Sequence, residues 1–197
     1  MVSRVRKRLS AAERRAKILA AAVHAFAAGG YDETSMDRIA AGAKVTKPVL
    51  YDHFPSKRAL FLAALESIRD GLIAHGKSIA ETESDPREKF RRGVEAFLQF
   101  VEQQPDAARV LLIVPRGDPR AAKLSREVQS GASAGISRLL VSFMPGSSQW
   151  RLHASTAFLK EGLHAIGEWW LENPGPSRDK LVDVVMRIVW TGLHRKS

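Results

Sequence analysis

The sequence predicts an all-α protein of about nine helices, in which a small basic head precedes a larger helical body. Apolar residues recur at spacings of three and four along most of the chain, and no convincing alternating strand is present. Capping residues and Pro or Gly breakers separate these periodic segments at regular intervals. Residues 1–60 contain 12 Lys or Arg and 5 Asp or Glu, a balance of +7, whereas the remaining 137 contain 19 and 16. This asymmetry predicts a polyanionic partner for the head.

The composition narrows the class of protein. Of the 197 residues, 45% are hydrophobic and 26% are charged, which is ordinary for a globular chain. The sequence contains no cysteine, which excludes disulfides and thiolate metal sites. The basic start and the apolar stretch before Gly29 resemble an export signal, but Ile18, Ala22 and Phe26 repeat at helical spacing. We therefore expect a cytoplasmic protein that does not span a membrane.

The first two helices are marked by their caps. Ser10 and Glu13 form an S-x-x-E capping box that opens the first helix, and the pair of glycines at 29–30 ends it. Thr34 and Ser35 can cap a short second helix over about 36–43, whose first turn carries an acidic residue.

The third helix is short and lies between two breaks. It begins near Lys47 and ends at the Phe54–Pro55 step. Pro48 fits a first helical turn but disfavours a helical Lys47, so either Lys47 or Thr46 can be the cap. Ser56 then caps a long fourth helix.

Five further helices are predicted beyond residue 80. Pro residues follow acidic or polar residues at several of their starts, where the missing N–H of Pro has no intrahelical partner. Pro–Gly steps end the seventh and eighth helices. The predicted bounds are approximately 86–101, 105–113, 120–143, 149–171 and 177–194.

The second and third helices with their tight turn form a helix-turn-helix, the motif whose second helix enters the DNA major groove. Val45, Leu50 and Phe54 can hold the third helix against the first helix from behind. The opposite surface is formed by three pairs at a spacing of four, namely Lys47 with Tyr51, Pro48 with Asp52, and Val49 with His53. A helix that reads DNA needs one face packed against its own domain and a polar face that is open to the groove.

The segment TSMDRIAAGAKVTKPVLYDHFPSKRALF, residues 34–61, resembles the helix-turn-helix of TetR-family transcriptional regulators. The matching residues are Thr34, Ile39, Ala40, Ala43, Val45, Thr46, Leu50, Tyr51, His53, Phe54, Ser56, Lys57 and Leu60. The chain departs from the family pattern at Lys44, which replaces the usual turn glycine, and at Pro48, where Gly is common. The resemblance implies a basic arm over 1–9, a DNA-binding domain over 10–70 with its motif at about 35–54, and a body over 71–197 for ligand binding and dimerisation.

The resemblance also implies that the front of the motif touches DNA. The hydroxyls of Thr46 and Tyr51, the His53 imidazole and the Lys57 ammonium suit phosphate oxygens. Lys47, Val49 and Asp52 are the candidates for base edges, although Asp52 can instead balance neighbouring cations. Lys44 and Pro48 complete the predicted DNA-binding set. The arm residues Arg4, Arg6, Lys7 and Arg8 either lie along the DNA or form a solvated tail.

The last two predicted helices are apolar on more than one face. Adjacent residues such as Trp169 and Trp170 point about 100° apart, so both cannot face one core. The two helices are either central core helices or pack on one side against a second subunit. The residues predicted at a homodimer interface are Leu163, Ile166, Trp170, Val185, Ile188 and Val189.

The resemblance further implies a repressor that a small-molecule effector, bound in the body, releases from a palindromic double-stranded DNA operator. Candidate pocket residues are Phe97, Phe100, Phe143, Phe158, His75 and His153, for which ordinary core packing is the competing interpretation. No nucleophile elbow, phosphate loop or zinc helix is present, so we expect neither catalysis nor a cofactor. A non-specific chromosome-coating protein would share the basic head but would not need a large body.

Overall fold

The computed structural model describes residues 10–112, 115 and 117–193. Over these residues the chain forms nine α-helices and no strand, which confirms the predicted all-α class. The helices are α1 (Ala11–Glu33), α2 (Met36–Ala43), α3 (Lys47–His53), α4 (Lys57–Thr82), α5 (Pro86–Gln103), α6 (Pro105–Leu112), α7 (Pro119–Phe143), α8 (Gln149–Glu172) and α9 (Arg178–Leu193).

The caps act where the sequence places them. Ser10 accepts a hydrogen bond from the backbone N–H of Glu13, whose carboxylate accepts one from the Ser10 N–H. Gly30 interrupts α1 with φ 71° and ψ 171°, a conformation that costs glycine little, and one further turn reaches Glu33. Thr46 is extended and precedes α3, so Lys47 is the first residue of that helix and Pro48 the second.

The head consists of α1, α2, α3 and the first part of α4, packed around one apolar centre. Ile18, Ile39 and Leu50 have no exposed surface, so α1, α2 and α3 each contribute to this centre. The Phe26 and Phe61 rings meet edge to face at 5.2 Å, an arrangement that favours the contact between α1 and α4. Burial of these side chains fixes the angle between α2 and α3.

The body consists of the rest of α4 and α5–α9, and it is continuous with the head. α4 runs unbroken from Lys57 to Thr82, so the predicted domain boundary at residue 70 falls within a single helix. α1 also packs on α6, and α4 packs on α7. Gly167 of α8 lies so close to α5 and α6 that an added Cβ would be 3.1 Å from both Leu112 and Phe97. Among the helices described, none is long and apolar enough to cross a bilayer.

Candidate nucleic-acid interface

The turn between α2 and α3 is made by a lysine in a conformation that favours glycine. Lys44 has φ 54° and ψ 45°, and its N–H donates to the Ala41 carbonyl at 3.0 Å. The Val45 N–H donates to the Ala40 carbonyl at 3.0 Å. These two bonds form the Schellman arrangement that commonly ends helices at glycine. Lys44 therefore preserves the shape of the turn and accepts the strain of the left-handed region.

One side of α3 is buried and the other faces solvent. Leu50 is fully buried and Phe54 is 3% exposed, whereas the Tyr51 side chain between them in sequence is 42% exposed. The Arg15 guanidinium lies 5.0 Å from the centre of the Phe54 ring and adds a cation from α1 beside the end of α3. The remaining predicted contact residues divide into exposed Lys44, Thr46, Lys47, Pro48 and Asp52, and half-buried Val49, His53 and Lys57.

Lys47, the candidate for reading guanine, has an intramolecular partner. Its Nζ lies 2.9 Å from Oδ1 and 3.1 Å from Oδ2 of Asp37, on the first turn of α2. The hydrogen bond to Asp37 raises the pKa of Lys47 above its usual value. The sequence indicates Asp37 only as a first-turn acid, because the pairing depends on the angle at which α2 and α3 cross.

Lys57 is tied to the end of α1. Its Nζ donates to the carbonyls of Tyr31 at 2.9 Å and Asp32 at 3.1 Å, and it lies 4.5 Å from the centre of the Tyr31 ring. This half-buried ammonium satisfies carbonyls that the helix end leaves without partners. In the free chain Lys57 therefore holds α4 against α1, a role that competes with the phosphate contact expected from the sequence.

A polar junction joins the head to the body at the start of α7. The Asp118 Oδ2 accepts from the Tyr31 hydroxyl and from the Arg58 guanidinium, both at 3.1 Å. Its Oδ1 caps α7 by accepting the N–H groups of Arg120 at 2.9 Å and Ala121 at 3.1 Å. One carboxylate thus connects α1, α4 and α7, and no local sequence pattern indicates these partners.

The neighbouring backbone reinforces this junction. The Gly117 N–H donates to Oδ2 of Asp32 at 2.9 Å, and a Cβ on Gly117 would lie 2.6 Å from Oδ1 of that carboxylate. Gly117 therefore lies against the end of α1, where an added Cβ would have to displace the Asp32 carboxylate. Elsewhere on α1, a second contact between head and body does not involve Gly117: His24 Nδ1 lies 2.8 Å from Oδ2 of Asp106 on α6.

The charge states at the junction are well defined. The N–H of Ala121, followed by Arg58 and Tyr31, lowers the pKa of Asp118 from 3.8 to about 2. Burial, followed by the Asp118 hydrogen bond, raises the pKa of Tyr31 to about 12. Asp118 is therefore ionised and Tyr31 is protonated throughout the neutral range, which is the combination that the observed hydrogen bonds require.

The predicted pocket residues do not form one group. Phe100 is buried, and Phe97 stacks on His164 with the ring centres 6.3 Å apart. Phe158 is 68% exposed and His153 is also on the surface, so the prediction that these two line an interior pocket is wrong. The side chains of His75 and Phe143 lie outside the described part of the structure, as do arm residues 1–9.

The predicted interface residues on α8 and α9 also divide into two groups. Trp170 and Val185 are buried within the subunit, and the Trp170 indole N–H donates to the Pro176 carbonyl at 3.0 Å. Their prediction as interface residues is wrong, because the body's own core takes this face. Ile188 is 62% exposed, whereas Leu163, Ile166 and Val189 are half-buried. Other large apolar side chains exposed on these helices are Trp150, Phe158, Trp169 and Val184.

Potential metal ligands do not cluster in the part of the chain that the structure describes, where no group of three His, Cys, Asp or Glu residues could hold an ion. Glu161 and His164 lie one turn apart on α8, and burial lowers the pKa of His164. The His164 ring packs against the Phe97 ring.

Known proteins resemble this chain in the head and also along nearly its whole length. Residues 18–64 match the profile of bacterial regulatory proteins of the tetR family. The transcriptional activator FasR of Mycolicibacterium smegmatis is 32% identical over 191 residues, which cover 94% of this chain and 85% of FasR. A TetR-like regulator from a Rhodococcus species superposes with a TM-score of 0.80 at 29% identity, covering 96% of this chain and all of that one.

A more distant structure shares the fold. FadR of Bacillus subtilis, solved in complex with stearoyl-CoA, superposes with a TM-score of 0.81 at 16% identity, covering 91% of this chain and 99% of FadR. The motif geometry, the match over the head and the similarity to FasR over most of both chains agree. The chain belongs to the TetR family of bacterial regulatory proteins.

Proposed function

We propose that this protein is a cytoplasmic, sequence-specific transcriptional regulator that binds a palindromic operator as a homodimer. The observation that carries the proposal is the two-sided environment of α3, with Leu50 and Phe54 buried behind it and Thr46, Lys47 and Tyr51 exposed in front. A helix held in this way can enter a major groove without losing its support in the head.

The proposed contacts follow from this geometry. The hydroxyls of Thr46 and Tyr51 and the imidazole of His53 bind phosphate oxygens, which set the register of α3 on the duplex. Lys47 and Val49 face base edges, where an ammonium suits guanine and a branched methyl side chain suits the thymine methyl. Asp52 faces a cytosine amino group, and Lys44 and the arm add positive charge along the backbone. Lys57 contributes by holding α1 against α4.

The dimer is supported by the apolar surface of the terminal helices. Phe158 and Trp169 are eleven residues apart on α8, which places them within about 20° of each other around the helix. Val184 and Ile188 lie one turn apart on α9, and all four side chains are at least 47% exposed. A second subunit packed here would remove this surface from water and set the two heads at a fixed distance.

Light scattering tests the dimer directly. Ile188→Asp places a charge on the proposed interface and is expected to give a monomer, whereas Val141→Asp, at an exposed position on α7, should leave the dimer intact. A wild-type chain that is monomeric at micromolar concentration would contradict this part of the proposal.

An effector in the body would act by changing the separation of the heads. Two heads match successive major grooves only when they are about 34–36 Å apart or a multiple of it, so a ligand that favours another separation weakens DNA binding. Buried Phe100 of α5, with Phe97 stacked on half-buried His164 of α8, supports a ligand site in the apolar interior of the body. The Asp118 junction provides a direct route from α7 to the head.

Thermal unfolding with panels of apolar acids, aromatic compounds and acyl thioesters tests the effector. A true effector raises the melting temperature and changes the affinity for the operator. A compound that raises the melting temperature without changing DNA binding is not an effector of this protein.

The sense of regulation is proposed to be repression, although FasR, the relative described above, is named an activator. In vitro transcription from a promoter next to a mapped operator distinguishes the two. Loss of transcript on adding protein supports repression, and a gain of transcript shows activation.

Genome-wide mapping of bound sites, followed by footprinting, tests the central proposal. We expect protection of a short palindrome. Tyr51→Phe removes one neutral hydrogen bond and should weaken operator binding about 2- to 12-fold. Lys123→Gln, a loss of one exposed cation from the body, should leave operator affinity unchanged and serves as the control. Uniform coating of DNA without a palindrome would instead indicate a chromosome-coating protein.

A further inference from the structure

The Asp37–Lys47 ion pair lies within the DNA-binding motif and has a consequence for affinity. Asp37 is on the first turn of α2, and Lys47 is the first residue of α3. Both oxygens of the carboxylate are within 3.1 Å of the Lys47 Nζ, so the two charges neutralise each other. Their side chains are 65% and 54% exposed, which leaves the pair accessible to an approaching polyanion.

DNA and Asp37 compete for the same ammonium. In helix-turn-helix complexes the first helix crosses the DNA backbone while the start of the second helix approaches the bases. A phosphate or guanine that binds Lys47 must therefore replace a carboxylate that already holds it. An exposed ion pair of this kind corresponds to roughly 1.4- to 5-fold in an equilibrium constant.

We propose that Asp37 limits the DNA affinity of this protein by withholding the Lys47 ammonium, one cation per head, from DNA. The inference rests on the proposed role of α3 as the DNA-reading helix. Asp37 is then a positioning residue, because it affects DNA binding only through Lys47. The number of exposed cations in the motif then overstates the charge that is available to DNA, since one of them is already paired with Asp37.

The consequence for binding is a change in both affinity and salt dependence. When Asp37 is replaced by Asn, Lys47 loses its carboxylate partner and becomes available to DNA. Each additional phosphate neutralised steepens the slope of log K against log salt by about 0.9. Asp37→Asn should therefore strengthen binding to duplex DNA by roughly 1.4- to 5-fold per head and steepen the salt slope by up to that amount.

A double-mutant cycle separates this mechanism from simple repulsion between Asp37 and phosphates. Full-length wild type, Asp37→Asn, Lys47→Gln and the double variant are titrated against a fluorescein-labelled duplex of random sequence, by anisotropy at several NaCl concentrations. Glu33→Gln is the matched control, because it removes one exposed acidic charge from the head at a residue that is not paired with Lys47. Circular dichroism and denaturant unfolding confirm that every variant is folded.

The expected result is tighter, more salt-dependent binding by Asp37→Asn, with the gain largely abolished when Lys47 is replaced by Gln. Glu33→Gln should show only the small change that follows from net charge. An equal gain in the presence and absence of Lys47 would overturn the proposal in favour of repulsion by Asp37. Unchanged or weaker binding by folded Asp37→Asn, while wild type binds normally, would also overturn it. If no variant binds this random-sequence duplex at the lowest salt, the inference is overturned, whereas the proposed function is decided separately by binding to the mapped operator.

Discussion

Lys44 is in a left-handed conformation that glycine would adopt with less strain, so Lys44→Gly is expected to stabilise the protein. At φ 54° and ψ 45°, a side chain costs roughly 1–2 kcal/mol. Glycine gains additional freedom in the unfolded chain, which offsets about 0.4–1 kcal/mol of this. From the middle of each range, the net gain in the free energy of unfolding is about 0.8 kcal/mol, or roughly 2–3 °C in melting temperature for a chain of this length.

Two matched variants isolate the backbone effect. Lys44→Ala removes the same charge but keeps the Cβ that causes the strain, so Lys44→Gly should be more stable than Lys44→Ala. Lys17→Gly, at an exposed position inside α1, should instead destabilise by about 1 kcal/mol because glycine weakens a helix interior. Urea unfolding followed by circular dichroism measures all three. If Lys44→Gly is no more stable than Lys44→Ala, the reasoning about strain at this turn is wrong.

Three further predictions concern the junction and the first cap. The stabilisation from the lowered pKa of Asp118 should be fully present above about pH 4 and lost as the pH falls through about 2, and acid unfolding of Asp118→Asn should lack this component. Gly117→Ala should lower the free energy of unfolding, because its Cβ would meet the Asp32 carboxylate. Gly76→Ala in α4 has open space around its Cβ and should raise the free energy of unfolding by about 0.5–1 kcal/mol. If Gly117→Ala stabilises the protein and Gly76→Ala destabilises it, the packing argument is wrong. Ser10→Ala should lower the free energy of unfolding by about 1 kcal/mol because it removes the capping box, and an unchanged denaturation midpoint would contradict this.

The helix order was predictable because its signals are local. A capping box, a Pro in a first turn and a glycine pair act within a few residues of themselves. The predicted starts near Lys47, Pro86 and Gln149 agree with the structure. The sequence did not decide whether the turn at Lys44 keeps its shape under strain or takes another shape, and the structure shows the left-handed conformation.

Predictions that required a choice between helix faces were less successful. Trp169 and Trp170 are both apolar neighbours on α8, and periodicity alone does not say which of them faces the core. The structure exposes Trp169 and buries Trp170. The same ambiguity explains why exposed Phe158 was expected inside the body: its surroundings depend on how α8 packs, which is a property of several distant segments.

The sequence by itself determined the helical class, the DNA-binding motif, the family and the concentration of positive charge in the head. Each of these depends on residue types at short, fixed spacings. Only the tertiary structure decided which charges are available, because Asp37 with Lys47 and Asp118 with Tyr31 and Arg58 are brought together by helix crossings. Ion pairs and hydrogen bonds between helices depend on distances of a few ångströms. Those distances are set by core packing summed over the whole chain, and not by any local pattern.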